Sequence, residues 1–263
     1  MDYSSYRALD IERKGKVLVI SFNRAGKANA IDGPIHLELA RVFSDIAMDR
    51  ETEAVLLTGK GGTFSVGGDA EWLSAMTSEQ VDVLFVEARK IVMDMLEVPQ
   101  PIVAAVQGMA TGLAATLVVF CDVVFIAEDA QIGDPHVAYA LVAGDGGAAV
   151  WPLLIGLSRA KELLMTGDII SGKEAARIGL VNHALPDDQV QARALEFANR
   201  LANGHSAAIR GTKTAINKIL RFTTNLVFDT ALALERTCFQ SKEFEEAARA
   251  IAARRAAGGK QWE

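Results

Sequence analysis

The chain has 263 residues, of which half are hydrophobic, 23% charged and 6% aromatic; this profile excludes a disordered polymer and suits a globular chain with a sizeable core. With 27 cations against 33 anions the formal charge is −6, so the net field gives no support to nucleic-acid binding, and an anionic ligand would need a local cationic patch. Cys121 lies in an apolar run and Cys238 in a helix-like stretch, which indicates no disulfide framework. The first residues show neither an apolar signal core nor an Arg-rich, acid-poor character, so cytoplasmic residence is the expectation.

In chain order, short Val/Ile/Leu-rich runs at 17–22, 54–58, 102–106 and 123–127 read as buried strands. Helical spacing fills the gaps between the first three, at 35–47 and 81–96. Strands alternating with helices predict an α/β core. Residues 101–121 carry no charge over 21 positions, long enough for a membrane span. Pro101, Gln107, Gly108, Thr111, Gly112 and Thr116 divide that stretch into a strand, a bend and a short helix, and no Lys/Arg cluster flanks it, so no span is expected. Past Asp187 strand signals vanish. Helices are expected at 190–201, 207–220, 226–239 and 244–253, with breaks at NGHS (203–206) and RFTTN (221–225). The apolar surplus of this tail suggests packing on the core or on another subunit. Neither G-x-G-x-x-G nor G-x-x-x-x-G-K-[ST] occurs, so a nucleotide fold has no motif to rest on.

Two strand exits stand out. TFSVGGD (63–69) follows AVLLTG, and QGMATGL (107–113) follows PIVAAV and leads into AATLVVF. Glycine pairs usually mark turns that need positive φ. Two such elbows, one opening a helix, could instead aim a pair of backbone N–H donors at one oxygen and so stabilise an oxyanion.

These segments, with FNRAGKANAID (22–32), CDVVFIAEDAQIGDP (121–135), ELLMTGDIISGKEAARIGLVN (162–182) and RGTKTAIN (210–217), resemble the crotonase (enoyl-CoA hydratase/isomerase) superfamily over nearly the whole chain. The resemblance implies a spiral of ββα units over residues 1–186 and a helical oligomerisation region over 187–263, building a homotrimer or homohexamer. It implies an acyl-CoA substrate, with no tightly bound cofactor, whose enolate is held by the amides of Gly68 and Leu113. Separately, His36, His183 and His205 stand at no metal-ligand spacing from another His, Cys or carboxylate, so no metal is expected. Coenzyme A would meet Arg24 and Lys27, the backbone near Ala28 and Ala30, and Asp69. Further cations would come from ARRAAGGK (253–260). Acyl-pocket walls would come from 72–86 and the last helices.

One departure from the family is explicit. Hydratases of this type use two glutamates; the matching positions here hold Thr116 and His136. A threonine hydroxyl orients water but is too weak an acid to serve as a base near neutrality. His136 with Asp145, nine positions on, could replace the missing pair, because imidazole titrates near neutrality and a carboxylate would orient it. A structural histidine and an Asx-turn aspartate are the simpler alternatives. Asp134, between Gly133 and Pro135, reads as a turn former, and His36, His183 and His205 fit a helix surface, a strand end and a loop. The PH…GDG…VW stretch also resembles crotonase-fold hydrolases of cyclic β-diketones, although their further histidine has no counterpart in 108–120. The function expected is therefore acyl-CoA enolate chemistry. Retro-Claisen hydrolysis and a catalytically reduced acyl-CoA-binding or scaffold subunit are the alternatives.

Overall fold

The computed structural model describes residues 1–256. The chain begins with β1 (Leu9–Lys14), which turns back antiparallel on β2 (Val17–Phe22), and continues through α1 (Gly33–Met48), β3 (Ala54–Gly59), α2 (Ala70–Ser74) and α3 (Ser78–Glu97). The middle comprises β4 (Ile102–Val106), β5 (Met109–Thr111), α4 (Leu113–Phe120), β6 (Val123–Ala127), β7 (Gln131–Gly133) and a 3-10 turn at His136–Tyr139. After it come α5 (Gly147–Thr166), β8 (Ile169–Ser171), α6 (Gly172–Ile178), β9 (His183–Leu185), α7 (Asp187–Ala202), α8 (Ser206–Phe239) and α9 (Lys242–Ala256).

Six strands form the main sheet in the order β1-β2-β3-β4-β6-β9, parallel throughout except for the first pair. Every residue of β2 and of β4 is buried, because helices cover a parallel sheet and both faces of its strands become core. α7 lies across β3, β4 and β6. Its buried stripe is Val190, Ala194, Ala198 and Ala202, a four-residue spacing of mostly small side chains that lets the helix approach the sheet. Phe22 and Phe64 pack edge to face, with ring centroids 5.3 Å apart, under the first elbow.

A smaller sheet, β5-β7-β8, stands beside the first. The chain steps from β4 in the large sheet to β5 in the small one across Gln107 and Gly108, and this step creates the second elbow. The fold is mixed α/β with strands followed by helices, as the sequence implied. Among the described residues no helix is long and apolar enough to cross a membrane. The uncharged stretch at 101–121 divides into β4, β5 and α4.

The expected break at 221–225 is absent. α8 runs unbroken for 34 residues. RFTTN contains neither Gly nor Pro, and a β-branched Thr or an Asn costs a helix well under about 1 kcal/mol. Thr223 returns its hydroxyl to the Ile219 carbonyl at 3.3 Å, and Thr224 is buried, so tertiary packing overrides a weak local signal. Along the same helix Ile216, Ile219, Phe222 and Leu226 stay exposed. The side chains of ARRAAGGK fall outside the described residues, apart from Ala253.

Candidate active site

Backbone pairing brings the two elbows together. Ser65 donates to the Met109 carbonyl at 2.9 Å, and Thr111 donates back to Ser65 at 3.2 Å, so the first elbow lies along β5. On its other side Ile31 and Asp69 bracket it through Ile31 N to Gly67 O and Asp69 N to Ile31 O, both 2.8 Å. Gly67 is required here: its φ is +76°, and a Cβ would stand 2.4 Å from the Thr111 carbonyl oxygen. The ladder uses Ile31, Ser65 and Asp69 but leaves the Gly68 amide out. Leu113 is the first residue of α4, where a helix cannot satisfy its own N–H. Among the described residues neither the Gly68 nor the Leu113 amide donates a hydrogen bond. Both residues line one pocket.

The same pocket receives a cluster of titratable groups. His136 opens the 3-10 turn after β7, and its Nδ1 contacts Asp134 Oδ1 at close range. Asp134 was read as a turn former; it also accepts from the His136 amide at 3.4 Å, so it fixes the ring from behind. His136 Nε2 faces two further carboxylates, Asp145 Oδ2 and Glu235 Oε1, each at 3.6 Å. Sequence spacing left contact between His136 and Asp145 open, and the structure brings them together. Thr116 does not line the pocket. Its Oγ1 donates to Asp145 Oδ1 at 2.8 Å, so its hydroxyl holds the carboxylate in place.

Burial opposes a charge on His136, but Asp134, Asp145 and Glu235 outweigh it and hold the imidazole well above its ordinary value. Titration near neutrality was the expectation; the three carboxylates move it to the alkaline side. Burial raises Asp145, against the pull of His136. Burial likewise lifts Glu235 well above a normal carboxyl. The group therefore retains protons that an exposed set would release, and its raised carboxyls are stronger bases than ordinary ones once ionised. Asp134, His136 and Asp145 each offer a ligand atom within 4.8 Å of the others, and two oxygens with an imidazole nitrogen make a mixed set that suits a borderline ion rather than a hard one.

Glu235 escaped the sequence reading. It sits on the buried stripe of α8 with Phe228, Ala231 and Leu232, and a carboxylate in an apolar helical stripe was the available signal. Gly144 makes room for it, since a Cβ there would come 2.6 Å from Glu235 Oε2. His36 also differs from expectation. Rather than a surface position of α1 it is 2% exposed, lines the pocket and bonds Glu87 Oε2 through Nδ1 at 2.6 Å. The reason is register: His36 follows Ile35 on the face of α1 that turns toward α3. Trp72, Leu73, Leu84 and Phe85 from the expected wall segment, and Phe239 from the last helices, complete an apolar lining.

The residues expected around coenzyme A are placed as follows. Arg24 is engaged inside the chain, donating to Asp69 Oδ2 at 2.6 Å and to the Ala30 carbonyl at 3.1 Å, with Asp32 at 3.3 Å from its Nε. Burial would raise the Asp69 carboxyl, but Arg24 and the amides of α2 hold it below its usual value. Asp69 caps α2 through the Glu71 and Trp72 amides. Lys27 is exposed and lies 3.7 Å from Glu71. Ala28 has a left-handed backbone, its carbonyl accepting from Val66, and Ala30 is buried. His183 begins β9 and His205 precedes α8, as read.

The sequence profile of the family described as enoyl-CoA hydratase/isomerase matches residues 12–261. The short-chain-enoyl-CoA hydratase of Clostridium acetobutylicum is 30% identical over 250 residues, covering 93% of this chain and 94% of that protein. An enoyl-CoA hydratase/isomerase structure from Mycobacterium paratuberculosis superposes with a TM-score of 0.90 at 34% identity, over 92% of this chain and 98% of that one. A β-diketone hydrolase from Anabaena sp. PCC 7120, bound to (S)-3-oxocyclohexyl acetic acid, superposes at 0.83 with 27% identity, over 90% and 96%.

Proposed function

The chain belongs to the enoyl-CoA hydratase/isomerase family, and from that premise we propose that it generates an enolate from an acyl-CoA thioester. The thioester oxygen sits between the amides of Gly68 and Leu113, where developing negative charge meets two fixed donors. Asp145, held by Thr116, takes a proton from carbon or water. His136, fixed from behind by Asp134, returns one from Nε2. The observation that carries this reading is that two amides with no acceptor of their own share a pocket with the His136 cluster. Glutamates are absent from the two hydratase positions, so proton transfer at carbon fits the residues better than simple water addition.

A second reading, retro-Claisen cleavage of a β-diketone that need not carry coenzyme A, is favoured by one observation. Arg24 is already committed to Asp69 and Asp32 and offers little to a phosphate. The Anabaena protein of similar structure is a β-diketone hydrolase. Incubation with enoyl-, 3-hydroxyacyl- and aryl-CoA and with free cyclic β-diketones in D2O, read by mass spectrometry, separates the two. Deuterium entering next to the thioester is expected; ring opening of free diketones with no exchange into any thioester would overturn the first reading. Assembly into trimers or hexamers through the exposed stripe of α8 belongs to the same proposal.

A further inference from the structure

The pocket has a second polar wall that the enolate chemistry does not use. His36 comes from α1, Glu87 from α3 and Trp72 from α2, three elements that supply no side chain to the His136 cluster, although His36 acts on Asp145 through space. His36 is 2% exposed and lines the pocket beside Trp72, with ring centroids 5.7 Å apart. Its Nδ1 is committed to Glu87 at 2.6 Å. Among the described residues no hydrogen bond or ion pair engages Nε2. Nε2 is not among the buried polar atoms that lack a partner, so water in the pocket reaches it, and an oxygen of a bound molecule can take that water's place.

We infer that His36, oriented by Glu87, is a specificity residue that binds a second oxygen on the acyl group. The substrate class is thus an oxo- or hydroxyacyl compound rather than a plain hydrocarbon acyl chain. This rests on the reading that the pocket takes an acyl group at the Gly68 and Leu113 amides. Glu87 accepts the Nδ1 proton, which leaves Nε2 to accept from a hydroxyl when the ring is neutral or to donate to a ketone when it is charged. Trp72, Leu84 and Ala88 line the same pocket, so a substrate that displaces its water without offering an oxygen leaves Nε2 unmet. Glu87 acts only through His36 and is a positioning residue.

The test is binding of matched sets: acyl groups of one carbon skeleton bearing hydrogen, hydroxyl or ketone oxygen at successive positions beyond the α-carbon, each as the coenzyme A thioester and as the free acid. Calorimetry on the wild-type protein should find at least one oxygenated member bound about tenfold or more tighter than its deoxy counterpart. H36L should collapse that ratio toward one, H36Q should restore part of it, and E87Q should weaken it while the H36L ratio is left where it was when the two are combined. Equal affinity across every matched set in the wild type would overturn the inference, as would a preference that survives H36L. Failure of the acyl-CoA reading is seen separately, as thioesters binding no better than their free acids.

Discussion

Replacing Gly68 tests the donor pair at a backbone amide. Gly68 has no left-handed φ, and its amide serves no bond of the fold, so Gly68→Pro deletes a donor that the folded chain itself does not use. An added Cβ would meet Leu73 Cδ1 at 2.6 Å, the far end of a flexible side chain. Moving that rotamer costs about 1 kcal/mol, roughly fivefold in rate. Gly68→Ala carries the same Cβ and keeps the N–H, so the ratio of the two variants removes the Leu73 contact from the comparison and leaves the lost amide together with any distortion of the bend by the proline ring. Loss of one oxyanion donor costs about 3–4 kcal/mol, or roughly two to three orders of magnitude in turnover. The assay is exchange of the α-proton of an acyl-CoA in D2O, which reports enolate formation whatever reaction follows. Thermal melting of both variants checks that the fold survives. Leu113→Ala should be mild, because its amide remains. The reasoning fails if Gly68→Pro stays within a few-fold of Gly68→Ala, or if Leu113→Ala is the more damaging change.

Thr116→Val keeps the shape but removes the bond to Asp145 Oδ1; kcat should fall roughly tenfold with substrate affinity nearly unchanged, as steady-state and binding measurements together would show. Glu235 has a folded value raised well above normal, so its contribution to stability is fully present below its unfolded value near 4.3 and is lost as pH rises through the folded value. Glu235→Gln does not titrate and should therefore gain on the wild type as pH increases, by roughly 2–4 °C in Tm per kcal/mol; melting curves from pH 4 to 9 showing the opposite trend would reject the assignment. Placing Glu at both Ile219 and Phe222 should convert a trimer or hexamer to smaller species in sedimentation velocity, and a wild-type monomer at micromolar concentration would remove the basis for assembly.

The core strands were legible because burial on both faces demands unbroken apolar runs, and β2, β4 and β6 have them. The elbows were legible because their backbone geometry leaves a mark in composition: Gly67 cannot be replaced where it abuts Thr111. His136 and Asp145 could be nominated from residue type, but their contact depends on how the loop before α5 closes, and spacing alone does not determine that. Glu235 lies 99 residues from His136 in the chain (235 − 136) and reaches it only because α8 packs on α5. His36 was misplaced because one polar residue in an amphipathic helix reads as surface. Only the packing of α3 and Trp72 makes it interior.

α8 carries exposed Ile216, Ile219, Phe222 and Leu226 at one station and buried Glu235 at another, on a single rod about 50 Å long. The two stations keep a fixed angular phase. Inserting one residue between Leu226 and Glu235 would turn everything beyond it by about 100°, carrying the carboxylate out of the pocket while the stripe stays in place. Three or four inserted residues would nearly restore the angle but displace the carboxyl along the axis by about 5 Å. The length of this helix between the two stations is thus locked by the chemistry at one end, and a rotation of the rod at its exposed station would carry through to the carboxylate that meets His136.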